Sequence, residues 1–427
     1  MSEPDRQSTL AALVAALPEF DWIKEAPKVK RLSRDFHWFS PVLKHQLEEK
    51  FAELAVRPRD ENELLAVVAA CTKARIPLNL RGGGTGNYGQ LIPLEGGVIV
   101  DMTRLNSVTA MGTGTVRAQA GIRLGDFEAH TRPHGWELRC IPSTWKLATP
   151  GGLFGGGFGG VGSINYGPLA APGIVLEIEL ALAPCHDWIE RLDTFADFPS
   201  AMAYADALAR SHGIVKRQIA VFAAPVLDYF SDLADAQIRA QHGVISVTGS
   251  ESDGLLPAIL AQHNGRNALH FAEGENSGHS LIEYCWNHTT LQALKVDKTL
   301  TYLQTAYAVD NYHQQVLAME AELSDEVMSH IEFLRDMNGA LTCSGLPLIR
   351  YSSPERLDAI MDIYRSHNVK INNPHVIHIE DGKQGMVRPD VVVLKSACDP
   401  YNLLNPGKLR GWEVRETLSA VHIPGVN

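Results

Sequence analysis

The stretch LNLRGGGTGNYGQ, from Leu78 to Gln90, contains Gly84-Thr85-Gly86-Asn87-Tyr88-Gly89 and so matches the pattern GxGxxG literally. A Rossmann fingerprint needs more than those glycines. A helix must open at the motif so that its N-terminal amides meet a diphosphate, and an acidic residue should follow about 20 residues on. After Gly89 the chain reads QLIPLEGGVIVD, where Pro93 and the pair Gly96-Gly97 leave no room for a helix before the next strand. Asp101 also comes too early and sits in a strand. The Rossmann reading is therefore set aside.

Consecutive glycines can instead present backbone N–H groups in a concave nest, because without Cβ they adopt either sign of φ and let a ligand approach the main chain. A tight strand-to-strand turn is the plain alternative for one such cluster. A second cluster, TPGGLFGGGFGGVGSINYG from Thr149 to Gly167, weighs against it. Leu153, Phe154, Phe158 and Val161 interrupt its glycines, as they would not in a flexible linker. Two nests on one domain, the second preceded by CIPSTWKLA, point to a long ligand of dinucleotide size held by main-chain amides.

The bulk composition agrees with a small ligand. A chain of 427 residues exceeds the size at which single cores stop growing, so two domains are expected. With 45% hydrophobic and 20% charged residues it reads as an ordinary soluble globular protein. The net charge of -11 disfavours nucleic acid and anionic membrane. The six cysteines are scattered, with neither zinc nor disulfide spacing, and read as reduced thiols. The N-terminus has neither a signal-peptide pattern nor a membrane span, so a cytoplasmic location is expected.

Along the chain, Asp60 to Glu63 has the form of a capping box before a helix ending near Arg75, followed by strands at IPLNLR, GGVIVDMTRL and TVRAQAG. GIVLEIELAL reads as a strand with one wetter face. Beyond about Pro184 the glycine clusters stop. Helical patterns at SAMAYADALARSHG, TLQALKVDKTLTYLQ, AELSDEVMSHIEFLRDMNG and SPERLDAIMDIYRSHN then mix with short strands such as GVISVTG. The expected class is α+β. The expected divisions are an N-terminal helical segment 1–46, a glycine-rich domain 47–187, an inserted domain 188–384 and a return 385–427.

RGGGTGNYGQ, GGVIVDMTRL, PGGLFGGGFGGVGSINYG and the terminal DPYNLLNPGK, in that order, resemble the FAD-binding domain of the vanillyl-alcohol oxidase/p-cresol methylhydroxylase superfamily, the FAD-linked oxidases. The resemblance covers about Val56 to Pro184 and roughly the last 30 residues. It implies a two-part PCMH-type FAD domain around an inserted α+β cap that carries the substrate site. By the same resemblance Gly82, Gly83, Gly84, Thr85, Gly86 and Asn87 would wrap the diphosphate, with Tyr88 and Gln90 nearby. Pro142, Ser143 and Thr144 would lie beside the flavin. Thr149, Gly151, Gly152, Gly157, Gly159 and Ser163 would contact phosphates, ribose or ribityl chain, and Ile164 and Val175 the adenine. Asn405 and Lys408 would close over the isoalloxazine side.

Departures from the family pattern carry information too. Members that attach FAD covalently through the first loop have a His where Thr85 stands, and doubly linked members add a Cys near TWKLATP. Both groups are absent here, so dissociable FAD is expected. Members acting on 2-hydroxy acids carry a metal-binding HxGDGN stretch, which is not visible, and an EHG whose counterpart is Glu380-Asp381-Gly382.

The flavin chemistry requires a base near the ring. NNPHVIHIEDG supplies His375, His378, Glu380 and Asp381, and an extended backbone there would put His378 and Glu380 on one face and His375 on the other. A metal set is an alternative, but it lacks the spacing of zinc enzymes, and no metal is expected. A third option is hydrogen-bonded structural histidines. In EYCWNHTTLQALK, His288 or Asn287 stands where hydroxy-acid relatives place a carboxylate-binding Arg, while a helix-capping role is the plain reading. The expected activity is FAD-dependent oxidation of an alcohol, phenolic or hydroxy-acid carbon, with oxygen or another acceptor reoxidising the flavin and homo-oligomerisation possible. The alternatives are an NAD(P)H-driven FAD reductase and a non-catalytic flavin electron-transfer subunit.

Overall fold

The computed structural model describes residues 3–139, 141–156, 173–233, 238–275, 280–378, 380–383 and 385–418. The chain divides into two compact units, Met1–Pro184 with His375–Asn427, and Cys185–Pro374. The chain thus re-enters the first unit at His375, ten residues ahead of the return expected from the change of sequence style.

The first unit is built on two four-stranded sheets. In one, Leu54–Val56, Val98–Asp101 and Leu78–Arg81 run parallel, and Trp22–Ile23 adds an antiparallel edge. Helix Glu61–Ala74 makes the first crossover. It starts at Asp60, whose Oδ1 accepts from the Glu63 N–H at 2.9 Å. The reciprocal limb of the expected capping box goes one residue back, since Glu63 accepts from the N–H of Arg59 at 2.8 Å. Leu64, Val67 and Cys71 bury its inner face, and Arg75 ends it in the left-handed region at φ 56°. The second crossover, from Leu78–Arg81 to Val98–Asp101, contains no helix and carries the glycine loop. The second sheet is antiparallel, in the order Val108–Gly112, Thr115–Gln119, Glu177–Pro184, Trp136–Leu138.

The second unit holds a three-stranded antiparallel sheet, Leu300–Tyr302, Leu348–Arg350, Val327–Met328, and a larger antiparallel sheet of eight strands. The order of the larger sheet is Arg266–Ala272, Trp188–Phe195, His242–Gly249, Lys216–Phe222, His330–Arg335, Leu341–Gly345, Thr305–Ala306, Lys370–Ile371. Helix Pro354–Ser366 falls within its expected pattern and Phe198–Arg210 starts two residues ahead of its own, but of TLQALKVDKTLTYLQ only the first half is helical, in Asn287–Val296, and Leu300–Tyr302 is a strand paired with Leu348–Arg350. The pattern AELSDEVMSHIEFLRDMNG does not hold as one helix. Helix Tyr312–Leu323 stops inside it, and Val327–Met328 and His330–Arg335 are strands. Ile331 and Phe333 suit a pleated surface, and Asp336 to Ala340 closes a hairpin. In that turn the Gly339 N–H donates to the Asp336 carbonyl at 3.0 Å, and Gly339 takes φ +81°. Sheet pairing overrides the local helical period there.

Candidate cofactor site

The glycine loop is shaped by what surrounds it. A Cβ on Gly82 would collide with the Thr149 hydroxyl, and one on Gly83 with the Leu147 carbonyl. The structure therefore brings the first glycine segment directly against Leu147–Thr149, the residues that lead into the second, at backbone contact. Gly84 has φ +66°, and a Cβ there would strike the Arg81 guanidinium. A Cβ on Gly86 would lie 2.5 Å from Gln90 Oε1.

The loop's carbonyls are tied back while its amides are not. Gly86 O accepts from the Phe36 N–H at 2.7 Å, Gly89 O from Lys408 Nζ at 2.7 Å, and Gln90 O from Asn405 Nδ2 at 3.1 Å. Among the described residues no backbone N–H from Gly82 to Asn87 donates to a protein acceptor, and the buried Nδ2 of Asn87 has no partner. Amides left outward in this way form an anion nest. Two cations stand behind it. Arg81 donates from Nη1 to the carbonyls of Leu32 and Arg34, both at 2.8 Å, and burial lowers its pKa from the ordinary value. Lys408 is 1% exposed, and burial pushes its pKa down to about 8 despite the nearby Asp35. The residues present thus fit a dinucleotide diphosphate by chemistry and by shape.

Thr85 is half-buried, and Tyr88 N–H donates to Gln90 Oε1 at 2.8 Å. Pro142 and Ser143 are buried and Thr144 half-buried in a turn whose Trp145 N–H bonds the Pro142 carbonyl at 2.9 Å. Thr149 does not open a second nest. It caps helix Pro150–Gly156, its Oγ1 accepting from Gly152 N–H at 3.2 Å, so the start of the second glycine cluster is helical. Gly151 packs on Ala120, which its Cβ would approach to 2.7 Å. Val175 is half-buried just ahead of strand Glu177–Pro184, whose start falls four residues after Gly173 of the expected strand. Gly157, Gly159, Ser163 and Ile164 lie outside the described residues.

Asn405 and Lys408 brace the loop from behind, and neither presents its polar end to solvent. Asn405 Oδ1 accepts from Asn79 Nδ2 at 2.6 Å, and both residues are buried. Leu404 bridges Leu78 in parallel, so the tail extends the sheet that leads into the loop.

The His375–Asp381 segment also belongs to the first unit, and its described residues 375–378 and 380–381 form bends and turns with no strand, so the expected extended run is not found among them. His375 is 5% exposed, with Nδ1 2.7 Å from Ser40 Oγ. Ile377 packs on Leu43, Leu47 and Ile92, the same Leu47 and Ile92 side chains that approach Gly89. Glu380 accepts from the N–H groups of Arg410 at 3.1 Å and Gly411 at 3.0 Å, one on each oxygen, and is 1% exposed. That engagement makes it an anchor for the turn Arg410–Trp412 and removes it from the candidates for the base. His378 is part-exposed, with Nδ1 3.4 Å from Asp381 Oδ2. Arg410 grips Asp381 through Nε and Nη2, and this pairing holds the Asp381 carboxyl below its usual range.

His288 lies in the second unit, half-buried in the first turn of helix Asn287–Val296. Sequence reasoning missed its surroundings. Glu332, His330 and Gln218 are buried on the sheet beneath Trp286. The alternation of His330 and Glu332 about Ile331 was the available signal, masked by the helical reading of that stretch. Arg81 was missed as well, although it directly precedes the glycines. Among the described residues no helix is long and apolar enough to cross a membrane.

Residues 52–184 match the family described as FAD binding domain. The chain is 27% identical over 168 residues to D-lactate dehydrogenase of Archaeoglobus fulgidus, a match covering 38% of this chain and 37% of that protein. It is 31% identical over 116 residues to glycolate oxidase subunit GlcD of Escherichia coli, covering 27% and 23% respectively. These matches span only about a quarter to a third of the curated relatives' length. A solved structure of alkyldihydroxyacetonephosphate synthase superposes with a TM-score of 0.69 at 14% identity, covering 96% of this chain and 85% of that one, and so shares its fold. Residues 52–184 are therefore an FAD-binding domain with the PCMH-type fold, and FAD is the cofactor of the chain.

Proposed function

We propose that the chain is an FAD-dependent dehydrogenase or oxidase acting on a CH–OH carbon, with small 2-hydroxy acids as its substrate class. The observation that carries this reading is the glycine loop with its outward amides and the cations Arg81 and Lys408 behind them, inside the region matched to the FAD binding domain. The class of substrate is supported by the names of relatives: D-lactate dehydrogenase, a glycolate oxidase subunit and, in Pseudomonas putida, D-2-hydroxyglutarate dehydrogenase.

Bound FAD would supply the two-electron acceptor for the substrate's hydride. The chain's part is to bind, orient and take the hydroxyl proton. His378 is our choice of base. It is part-exposed, and Asp381 beside Nδ1 orients the ring so that Nε2 is the nitrogen left to take the proton. Arg410 keeps Asp381 ionised and aimed. His375, held by Ser40, positions the segment. In the second unit His288 is the substrate-orienting candidate, a nitrogen donor where an Arg would bind a carboxylate.

Anaerobic titration of the FAD-loaded protein with D-lactate, glycolate, D-2-hydroxyglutarate and aromatic alcohols, followed at the flavin absorbance, tests the proposal. Bleaching by a 2-hydroxy acid supports it. Bleaching by NADPH alone, without substrate, overturns it in favour of a reductase.

A further inference from the structure

Trp286 has φ 51° and ψ -139°, a backbone conformation that a bulky residue rarely adopts. Such a conformation is strained and persists only where its surroundings over-determine it. What holds it is a buried polar cluster on one face of the eight-stranded sheet. The Trp286 N–H donates to Glu332 Oε1 at 2.6 Å, and its indole Nε1 donates to Gln218 Oε1 at 3.1 Å. Gln218 Nε2 donates in turn to Glu332 Oε2, and His330 Nε2 lies 2.8 Å from Glu332 Oε1. Glu332 and His330 are fully buried and Gln218 is 4% exposed.

The cluster grips one end of a short segment whose other end is gripped likewise. Glu190, on the same sheet face, accepts from Ser280 Oγ at 2.7 Å and from the Leu281 N–H. Burial pushes the Glu190 carboxyl up. Between the two carboxylates runs the turn Leu281–Tyr284, and immediately after Trp286 comes helix Asn287–Val296 with His288 in its first turn. The His288 N–H bonds the Cys285 carbonyl at 3.1 Å, and the Thr289 N–H bonds that of Trp286 at 3.2 Å. The direction in which this helix starts is therefore set by the twist at Trp286. Buried carboxylates are a poor source of stability compared with apolar packing, so what these two contribute is the fixed geometry of the groups they accept from.

We infer that Glu332, acting with Gln218, is the positioning residue that presents His288. This rests on the reading of His288 as the substrate-orienting group. In Glu332→Gln the new amide nitrogen faces either the Trp286 N–H or Gln218 Nε2, so donor meets donor. Gln218 can relieve this only by turning its amide, which takes the acceptor from the indole. The exchange Gln218→Glu/Glu332→Gln moves the charge across the pair and again gives every donor an acceptor.

The test is modification of His288 by diethyl pyrocarbonate, followed peptide by peptide in the FAD-loaded full chain, with the exposed His212 as internal reference. Glu332→Gln should change the His288 rate about tenfold, the local shift that follows loss of one charge-assisted hydrogen bond. The exchange variant should restore it. An unchanged rate in Glu332→Gln, or a failure of the exchange to restore it, overturns the inference. Should Glu332→Gln fail to fold, Gln218→Met, which removes the indole's acceptor and one donor to Glu332 while keeping the Trp286 N–H on Glu332, is read the same way. Flavin reduction is scored separately: no effect of His288→Ala on reduction by a 2-hydroxy acid would refute the functional reading of His288 and leave the footprint to decide the role of Glu332.

Discussion

Lys408 Nζ donates to the carbonyl oxygen of Gly89 at 2.7 Å, joining residues 319 apart in sequence. With Asn405 on Gln90 O and the Phe36 N–H on Gly86 O, this bond turns the loop's carbonyls inward and leaves its amides for an anion. The tail thus contributes to the candidate cofactor site through the backbone that it orients.

The Lys408 bond carries a pH signature. Burial lowers its pKa from the ordinary 10.5 to about 8. The unfolded chain therefore binds more protons than the folded one between those values, and stability rises with pH through that window. Relative to Lys408→Met, the wild type should gain up to about 3 kcal/mol between pH 8 and 10.5. Denaturant unfolding of both proteins across that range measures it, and parallel curves would refute the assignment.

Gly83→Ala places a methyl group against the Leu147 carbonyl. The overpacking should cost about 1–3 kcal/mol and separate the two segments of the cradle. The purified variant is expected to carry little flavin, read as the ratio of flavin to protein absorbance, and to melt at a lower temperature.

His378 and Glu380 stand two residues apart and should respond oppositely. His378→Gln should lower the rate of flavin reduction by roughly 10²–10⁴-fold with flavin content unchanged. Glu380→Gln leaves one of the amides of Arg410 and Gly411 facing a donor and should cost about 1–3 kcal/mol in stability. Stopped-flow reduction and thermal unfolding separate the two, and equal loss of rate in both variants would contradict these roles.

Thr85 has a hydroxyl where an imidazole would be needed for attachment through the first loop. Acid precipitation should therefore release the yellow chromophore to the supernatant. Colour retained in the pellet would require attachment by another residue.

Much of the cofactor domain was legible in the chain itself. Contiguous glycines without a following helix exclude a Rossmann turn, and the ordered motifs from Arg81 to Lys408 identify the domain. The cap at Asp60 and the helical periods of 198–210 and 354–366 are local properties, carried by side chains within a turn of one another. Other features depend on distant partners. Whether His330 to Arg335 is helix or strand was decided by pairing with Lys216–Phe222 and Leu341–Gly345, which outweighs a weak local period. Glu380 looked like a base because its charge and neighbours are visible in sequence, while the two amides that engage it come from Arg410 and Gly411. Composition and spacing pointed to a dinucleotide held by main-chain amides. Only the tertiary structure decided which polar groups face the ligand and which hold the backbone, because that depends on contacts closed over hundreds of residues.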